Sequence, residues 1–278
     1  MQKTYTPIIS VDEASEAMKD KSVVIFDSRF YLTEPLKGRK EYLQSHIPGA
    51  VYLDTNSDLS SPVINGVTGR HPLPAPAILE STLRASGLNS GSLVIVYDQS
   101  NGAYASRAWW LLRWLGHQNV AVLDGGFKLW NSHHLPVDNV WPLMYPGNFK
   151  AMPKNELIVN INSLKEIHGA LVDSREYKRY NGEYEPIDPV AGHIPGAICI
   201  PYMENTNESG EWKSPEELRK RFADLELEST EAPVFYCGSG VTACHNILAY
   251  KIATGKDSRL YPGSWSEWIN YNKVKSEL

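Results

Sequence analysis

The residues best suited to chemistry are Val234-Phe235-Tyr236-Cys237-Gly238-Ser239-Gly240-Val241-Thr242-Ala243. An apolar run stops at a cysteine, two glycines follow within three residues, and apolar residues then recur at helical spacing through Tyr250. The pattern predicts strand, tight loop and helix. Such a loop turns backbone N–H groups toward the cysteine sulfur, and the helix adds the positive end of its dipole. Both favour a thiolate, the nucleophilic form. Gly238 and Gly240 fit because backbone that closes on an anion leaves no room for a Cβ. The competing reading is a small buried core residue at a strand end.

The elements that must position this loop occur twice. Leu171-Val172-Asp173-Ser174-Arg175 repeats Ile25-Phe26-Asp27-Ser28-Arg29, and Gly192-His193-Ile194-Pro195-Gly196-Ala197 repeats the turn at His46-Ile47-Pro48-Gly49-Ala50. Phe235-Tyr236-Cys237 lies over Val96-Tyr97-Asp98, and Gly263-Ser264-Trp265 over Gly125-Gly126-Phe127. Four matches in one order at a slowly drifting offset imply a duplicated α/β domain. Strands alternating with helices imply, in each copy, a mostly parallel sheet with helices on both faces. The expected boundaries are 1–140, a linker at 141–160, and 161–278. Ser10-Val11-Asp12-Glu13 and Ser214-Pro215-Glu216-Glu217 are helix starts. In such sheets ligands bind beyond the carboxyl ends of strands, where Cys237 sits. Its counterpart Asp98 offers no sulfur, so the first copy is the inactive one.

The chain has 278 residues, 42% hydrophobic and 21% charged, with net charge −5. This is a globular composition without the basic stripe of a nucleic-acid binder. No apolar run is long enough to span a membrane, and no signal-peptide core follows the N-terminus. Cys199, Cys237 and Cys244 are an odd number without ligand spacing, which argues against a disulfide framework and a zinc site. A cytoplasmic, monomeric protein without metal or organic cofactor is expected.

Tandem domains, each with a D-S-R strand end and an H-I-P-G-A turn, resemble the rhodanese-type sulfurtransferases over nearly the whole chain. The loop Cys237-Gly238-Ser239-Gly240-Val241-Thr242 is similar to the 3-mercaptopyruvate sulfurtransferase branch. The resemblance implies transfer of a sulfane sulfur from a small donor through a Cys237 persulfide to a thiol, a dithiol such as thioredoxin, or cyanide. It implies Arg179 as the arginine on the donor's anionic group, with the loop residues Gly238, Gly240, Val241 and Thr242. It also implies a relay of Ser239, His71 and Asp54 that polarises the substrate. His71 and Asp54 come from the first copy, so the expected cleft lies between the two. The branch's second arginine before the G-H-I-P-G turn has no counterpart in Pro186-Ile187-Asp188-Pro189-Val190-Ala191. Thiosulfate therefore stays open as a donor beside 3-mercaptopyruvate.

Two alternatives remain beside this reading. A cysteine phosphatase would need an arginine six residues after the cysteine, where Ala243 stands. A non-enzymatic sulfur carrier or regulatory module with a dead site is the other; the first copy shows that such decay occurs, but the second retains Cys237, Gly238, Gly240 and Arg179. Asp27, Arg29, Asp173, Arg175, His46 and His193 are expected to be structural. Cys199, Trp109, Trp110 and Trp114 are expected in the core. Trp265 and Trp268 are read as core or cleft mouth, and Cys244 as packing or a resolving thiol.

Overall fold

The computed structural model describes residues 6–228 and 231–277. Segment 1–5, part of the stretch read for a signal peptide, lies outside the described residues.

The chain forms two compact units. The first takes the chain up to Leu59, Pro74–Lys154 and Thr206–Trp212; the second takes Ser60–Leu73, Asn155–Asn205 and the chain from Lys213. Chain order and compactness thus part company at two loops: 60–73 folds with the second half, and 206–212 with the first.

In the first unit the elements are β1 (Ile8–Ile9), α1 (Val11–Ala17), β2 (Val24–Asp27), α2 (Lys37–Gln44), β3 (Val51–Tyr52), α3 (Pro76–Ala85), β4 (Val94–Tyr97), α4 (Ala105–Trp114), β5 (Val120–Leu123) and α5 (Gly126–Ser132). The sheet is parallel, in the order β1-β5-β4-β2-β3. Ile25, Ile95, Tyr97, Ala121 and Leu123 join one core cluster. The alternate residues Val24, Phe26, Val94, Val96 and Val122 are equally buried. Strands so apolar on both sides require cover on both faces. The expected capping box forms at Ser10 and Glu13.

The second unit runs β6 (Leu171–Asp173), α6 (Tyr177–Tyr180), β7 (Ile198–Cys199), α7 (Pro215–Arg221), α8 (Ala223–Glu228), β8 (Val234–Tyr236), α9 (Ala243–Thr254), β9 (Arg259–Leu260) and α10 (Ser264–Glu277). Its parallel order, β7-β6-β8-β9, repeats β3-β2-β4-β5. A single parallel bridge from Ile158 to Leu260 stands where β1 meets β5. On one face of the sheet Phe235 meets Phe222 and Tyr250; on the other, Tyr236 packs with Trp265. The capping box at Ser214 and Glu217 opens α7, with Pro215 in its first turn.

The repeat extends to atoms. Arg29 forks onto Asp27 and donates to Ser45 O at 2.7 Å; Arg175 forks onto Asp173 and donates to Gly192 O at 2.7 Å. Ile47 N–H donates to Tyr97 Oη at 3.2 Å, and Ile194 N–H to Tyr236 Oη at 3.1 Å. His46 stacks on Tyr42 and bonds its carbonyl; His193 does the same with Tyr180. These residues fix strand ends to turns. Trp109, Trp110 and Trp114 are buried as expected.

Part of the expected linker is bonded along the first unit. Gly147, Phe149, Met152 and Lys154 donate backbone N–H groups to the carbonyls of Arg84, Leu88, Leu115 and Trp114, at 2.8, 3.1, 2.8 and 2.8 Å. Gly147 has to be glycine, since a Cβ there would lie 1.9 Å from Leu88 O. Val159 N–H then donates to Leu260 O in the second unit at 2.8 Å.

Candidate active site

Strand β8 ends at Tyr236, α9 begins at Ala243, and the six residues between form the loop. The strand end is held firmly. Cys237 N–H donates to Ser264 Oγ at 3.1 Å, Trp265 N–H to Cys237 O at 3.0 Å, and Ser266 N–H to Gly238 O at 3.0 Å. Ser264 adopts φ 56, a left-handed conformation that a non-glycine residue seldom takes. It does so where its hydroxyl also donates to Tyr261 O at 3.0 Å.

Cys237 is 2% exposed. Gly240 N–H donates to its sulfur at 3.1 Å. Gly240 has φ 78, and a Cβ would stand 2.4 Å from Pro262 O, so the turn that aims this N–H requires glycine. Val241 and Thr242 complete the turn into α9: Cys244 N–H bonds Val241 O at 3.0 Å and His245 N–H bonds Thr242 O at 3.1 Å. Helix α9 has 12 residues and opens immediately after the loop, with the positive end of its dipole toward it.

Two residues after the nucleophile, Ser239 Oγ lies 2.8 Å from His71 Nδ1. Both are buried. His71 arrives on segment Ser60–Leu73, which folds within the same unit as the loop. Asp54 falls in the first unit, where its Oδ1 accepts from Asn56 and Ser57 N–H at 2.8 and 3.1 Å.

Arg179, on α6, belongs to a buried ion network. Its Nε donates to Glu185 Oε2 at 3.0 Å and its Nη2 to Glu185 Oε1 at 2.8 Å, with Asp188 Oδ2 at 3.3 Å. Glu185 also takes Arg175 Nη1 at 3.1 Å and the N–H groups of Ile187 and Asp188. Burial alone would raise the Glu185 carboxyl; the Arg179 fork and these N–H groups outweigh it and hold it below the usual range. Two charged residues that sequence reasoning did not single out, Arg70 and Asp188, form an ion pair here. Arg70 stood next to His71 in Gly69-Arg70-His71, and only adjacency in sequence marked it.

A Cβ on Gly238 would lie 2.6 Å from Arg70 Nη2 and 3.4 Å from Arg179 Nη2. The residue after the cysteine is therefore flanked by two guanidinium groups, and its missing side chain is what admits them. Cys244 is buried, its Sγ donating to Gly240 O at 3.3 Å. Cys199 donates to Arg175 O at 3.3 Å, and burial with the nearby Asp173 charge pushes its thiol up to about 12. Trp265 is core, its Nε1 bonded to Val190 O at 2.8 Å, and Trp268 packs against the same cluster. Among the described residues no group of three or more His, Cys, Asp or Glu could hold a metal ion, and no helix is long and apolar enough to cross a membrane.

A duplicated parallel α/β unit whose second copy turns a backbone N–H onto a buried cysteine at a strand end defines the class of protein, and comparison with known proteins places it. Rhodanese-like domains match residues 10–133 and 154–271, and the chain belongs to that family. It is 44% identical over 268 residues to a probable 3-mercaptopyruvate sulfurtransferase of Pseudomonas aeruginosa, covering 94% of each chain. It is 33% identical over 283 residues to the thiosulfate sulfurtransferase of Rattus norvegicus, covering 96% of this chain and 93% of that one. The structure superposes on SseA, a 3-mercaptopyruvate sulfotransferase of Escherichia coli, with TM-score 0.81 and 32% identity over 95% of this chain and 100% of that one. For the 3-mercaptopyruvate sulfurtransferase of Leishmania major the TM-score is 0.85 at 28% identity, covering 98% of this chain and 76% of that one.

Proposed function

We propose that the protein is a sulfurtransferase that moves a sulfane sulfur through a persulfide on Cys237, with 3-mercaptopyruvate as its preferred donor. The observation that carries the reading is the 2.8 Å bond between Ser239, in the loop of the buried Cys237, and His71. Family membership and the names of the relatives support the reaction class.

The Cys237 thiolate attacks the mercapto sulfur of the donor. The S–S bond forms as the C–S bond breaks, and the electron pair passes to carbon as an enolate. The hydroxyl of Ser239, paired with His71, gives the enolate carbon a proton and takes up in its place the S–H proton that the donor sulfur gives up as it becomes the persulfide's anionic outer sulfur, so the step releases pyruvate with no net change of protons. Asp54 is proposed as the group that orients His71, on the resemblance alone. The outer sulfur of the persulfide carries the negative charge. Gly240 N–H and the start of α9 stabilise it as preorganised donors. A thiol then takes that sulfur and returns Cys237 as thiolate; splitting the transfer in two lowers each barrier. With thiosulfate the same attack would break its S–S bond and release sulfite. A dithiol protein of the thioredoxin kind as acceptor, a monomeric state and a cytoplasmic setting belong to the same proposal.

The test is steady-state turnover with 3-mercaptopyruvate and with thiosulfate, each with cyanide and with dithiothreitol, on the wild type and Cys237→Ser. Turnover lost in the variant, a mass gain of one sulfur on wild-type Cys237 and a higher kcat/KM for 3-mercaptopyruvate are expected. Residual turnover in Cys237→Ser would overturn the nucleophile. A clear preference for thiosulfate would overturn the relay.

A further inference from the structure

The Gly240 N–H that meets the Cys237 sulfur belongs to a residue held from its far side as well. Cys244, one helical turn on, donates its S–H to Gly240 O at 3.3 Å. Gly240 is thus gripped at both ends: its N–H donates to one cysteine sulfur at 3.1 Å, and its carbonyl accepts from the other. Glycine is the residue least able to keep a conformation by itself, so bonds to its two peptide groups decide where its N–H points.

The first copy grips the matching glycine in the same way. Gly102 has φ 79 against φ 78 for Gly240. Its N–H donates to Asp98 Oδ1 at 3.0 Å, as Gly240 N–H does to the Cys237 sulfur. Ser106 Oγ donates to Gly102 O at 2.6 Å, as Cys244 Sγ does to Gly240 O. In each copy the donor stands four residues after the glycine, near the start of the following helix, and is fully buried. One copy fills the place with a hydroxyl and the other with a thiol. What the two side chains share is a proton to donate. A side chain that served only as packing would need no donor. A thiol meant to attack the Cys237 sulfur would have no counterpart in a serine beside a carboxylate.

We propose that Cys244 is a positioning residue for the reaction at Cys237: its S–H, bonded to Gly240 O, keeps the Gly240 N–H on the nucleophile's sulfur, a task that a hydroxyl performs equally well. A glycine released at its carbonyl spends part of its time with the N–H turned away, and the thiolate then loses a fixed donor. The proposal rests on the sulfurtransferase reading for the importance of the Cys237 sulfur, and adds to it the residue that holds that sulfur's hydrogen bond in place.

The test compares wild type, Cys244→Ala and Cys244→Ser in the full chain. The first readout needs no sulfur donor: the pH profile of Cys237 alkylation by iodoacetamide, located by peptide mass. Cys244→Ala should carry the profile to higher pH and slow alkylation on its acid limb by about 3–10-fold, because the thiolate has lost a fixed hydrogen bond. Cys244→Ser should keep the wild-type profile, since the hydroxyl supplies the same donor. Deuterium exchange of the Gly240 amide, read by NMR on protein with labelled glycine, should quicken by about 3–10-fold in Cys244→Ala and stay unchanged in Cys244→Ser. With 3-mercaptopyruvate, kcat/KM should fall in Cys244→Ala and recover in Cys244→Ser. An alkylation profile unchanged in Cys244→Ala overturns the proposal, even where the melting temperature falls, and marks Cys244 as packing. An equal shift in both variants overturns it too, since the sulfur itself would then matter rather than the proton it donates. Should Cys244→Ala fail to fold, Cys244→Val, which fills the space and donates no proton, takes its place with the same expectation. The predicted alkylation and exchange pattern in a protein that turns over no donor would refute the sulfurtransferase reading and support the role of Cys244.

Discussion

The loops after β4 and β8 share a strand, a turn and a helix, yet one closes its backbone N–H groups on a resident carboxylate and the other gives one of them to a sulfur. In the first, Asp98 Oδ1 accepts from Ser100 and Gly102 N–H at 3.0 and 3.0 Å, and Oδ2 from Tyr104 and Ala105 N–H at 2.8 and 3.2 Å. Burial pushes this carboxyl up, and the four N–H groups pull part of the way back. In the second, the Cys237 sulfur takes one such bond, from Gly240. Inward-turned backbone N–H groups are the common inheritance. A resident carboxylate that takes four of them makes a structural clasp. A cysteine that takes one leaves, on the proposed reading, donors for the outer sulfur of a persulfide.

The largest effect should come from removing the nucleophile. Cys237→Ser is expected to cut sulfur transfer by at least about a thousandfold, as loss of a covalent nucleophile does, with the fold retained. The reverse exchange sharpens the comparison. Asp98→Cys in a Cys237→Ser background should gain neither turnover nor a persulfide at position 98, because His71, Arg70 and Arg179 belong to the second unit. A mass gain at position 98 would show that the amide nest alone suffices.

Stability should run the opposite way. Asp98→Ala strands four N–H groups, two of them in fully buried bonds, and should cost about 3 kcal/mol, whereas Cys237→Ser should cost about 1 kcal/mol or less. Denaturant unfolding measures both, and equal losses would erase the distinction between clasp and open nest. Ser239→Ala should lower kcat/KM for 3-mercaptopyruvate by about 10–100-fold, the scale of a lost general acid–base contact, and change thiosulfate turnover much less. Equal losses with both donors would remove the relay.

The smallest effect is one of pH. The Glu185 carboxyl is held below its ordinary value of 4.5 in the fold. Its contribution is therefore present above that value and lost as the pH falls through the depressed one. The melting temperature of Glu185→Gln should lie below that of the wild type at neutral pH, and the gap should narrow as the pH falls through the depressed value and the wild-type carboxyl takes up its proton. A gap constant with pH would mean that the Arg179 fork and the Arg175 bond on Glu185 stabilise the fold little.

Local chemistry decided what could be read without coordinates. The capping boxes at Ser10 and Ser214 involve residues three apart, so spacing alone specifies them. The Asp-Ser-Arg strand ends and His-Ile-Pro-Gly turns recur because each copy must pin a strand to the next turn with the same bonds, and their repetition revealed the duplicated parallel sheet. Cys237, Gly238 and Gly240 marked a tight strand-to-helix loop because glycines after an apolar run allow the backbone to close on the cysteine sulfur, as the Gly240 N–H does. What spacing could not carry was the traffic of loops. Nothing in residues 60–73 says that they fold with a strand far along the chain, since that choice is made by packing of distant surfaces rather than by local propensity. Ser239 and His71 were paired by resemblance, but their 2.8 Å bond is a fact of tertiary structure. The same holds for Arg70. A guanidinium on a flexible stem can serve any site within its reach, and only the fold, by seating its backbone on Ser266 and its charge on Asp188, selected this one.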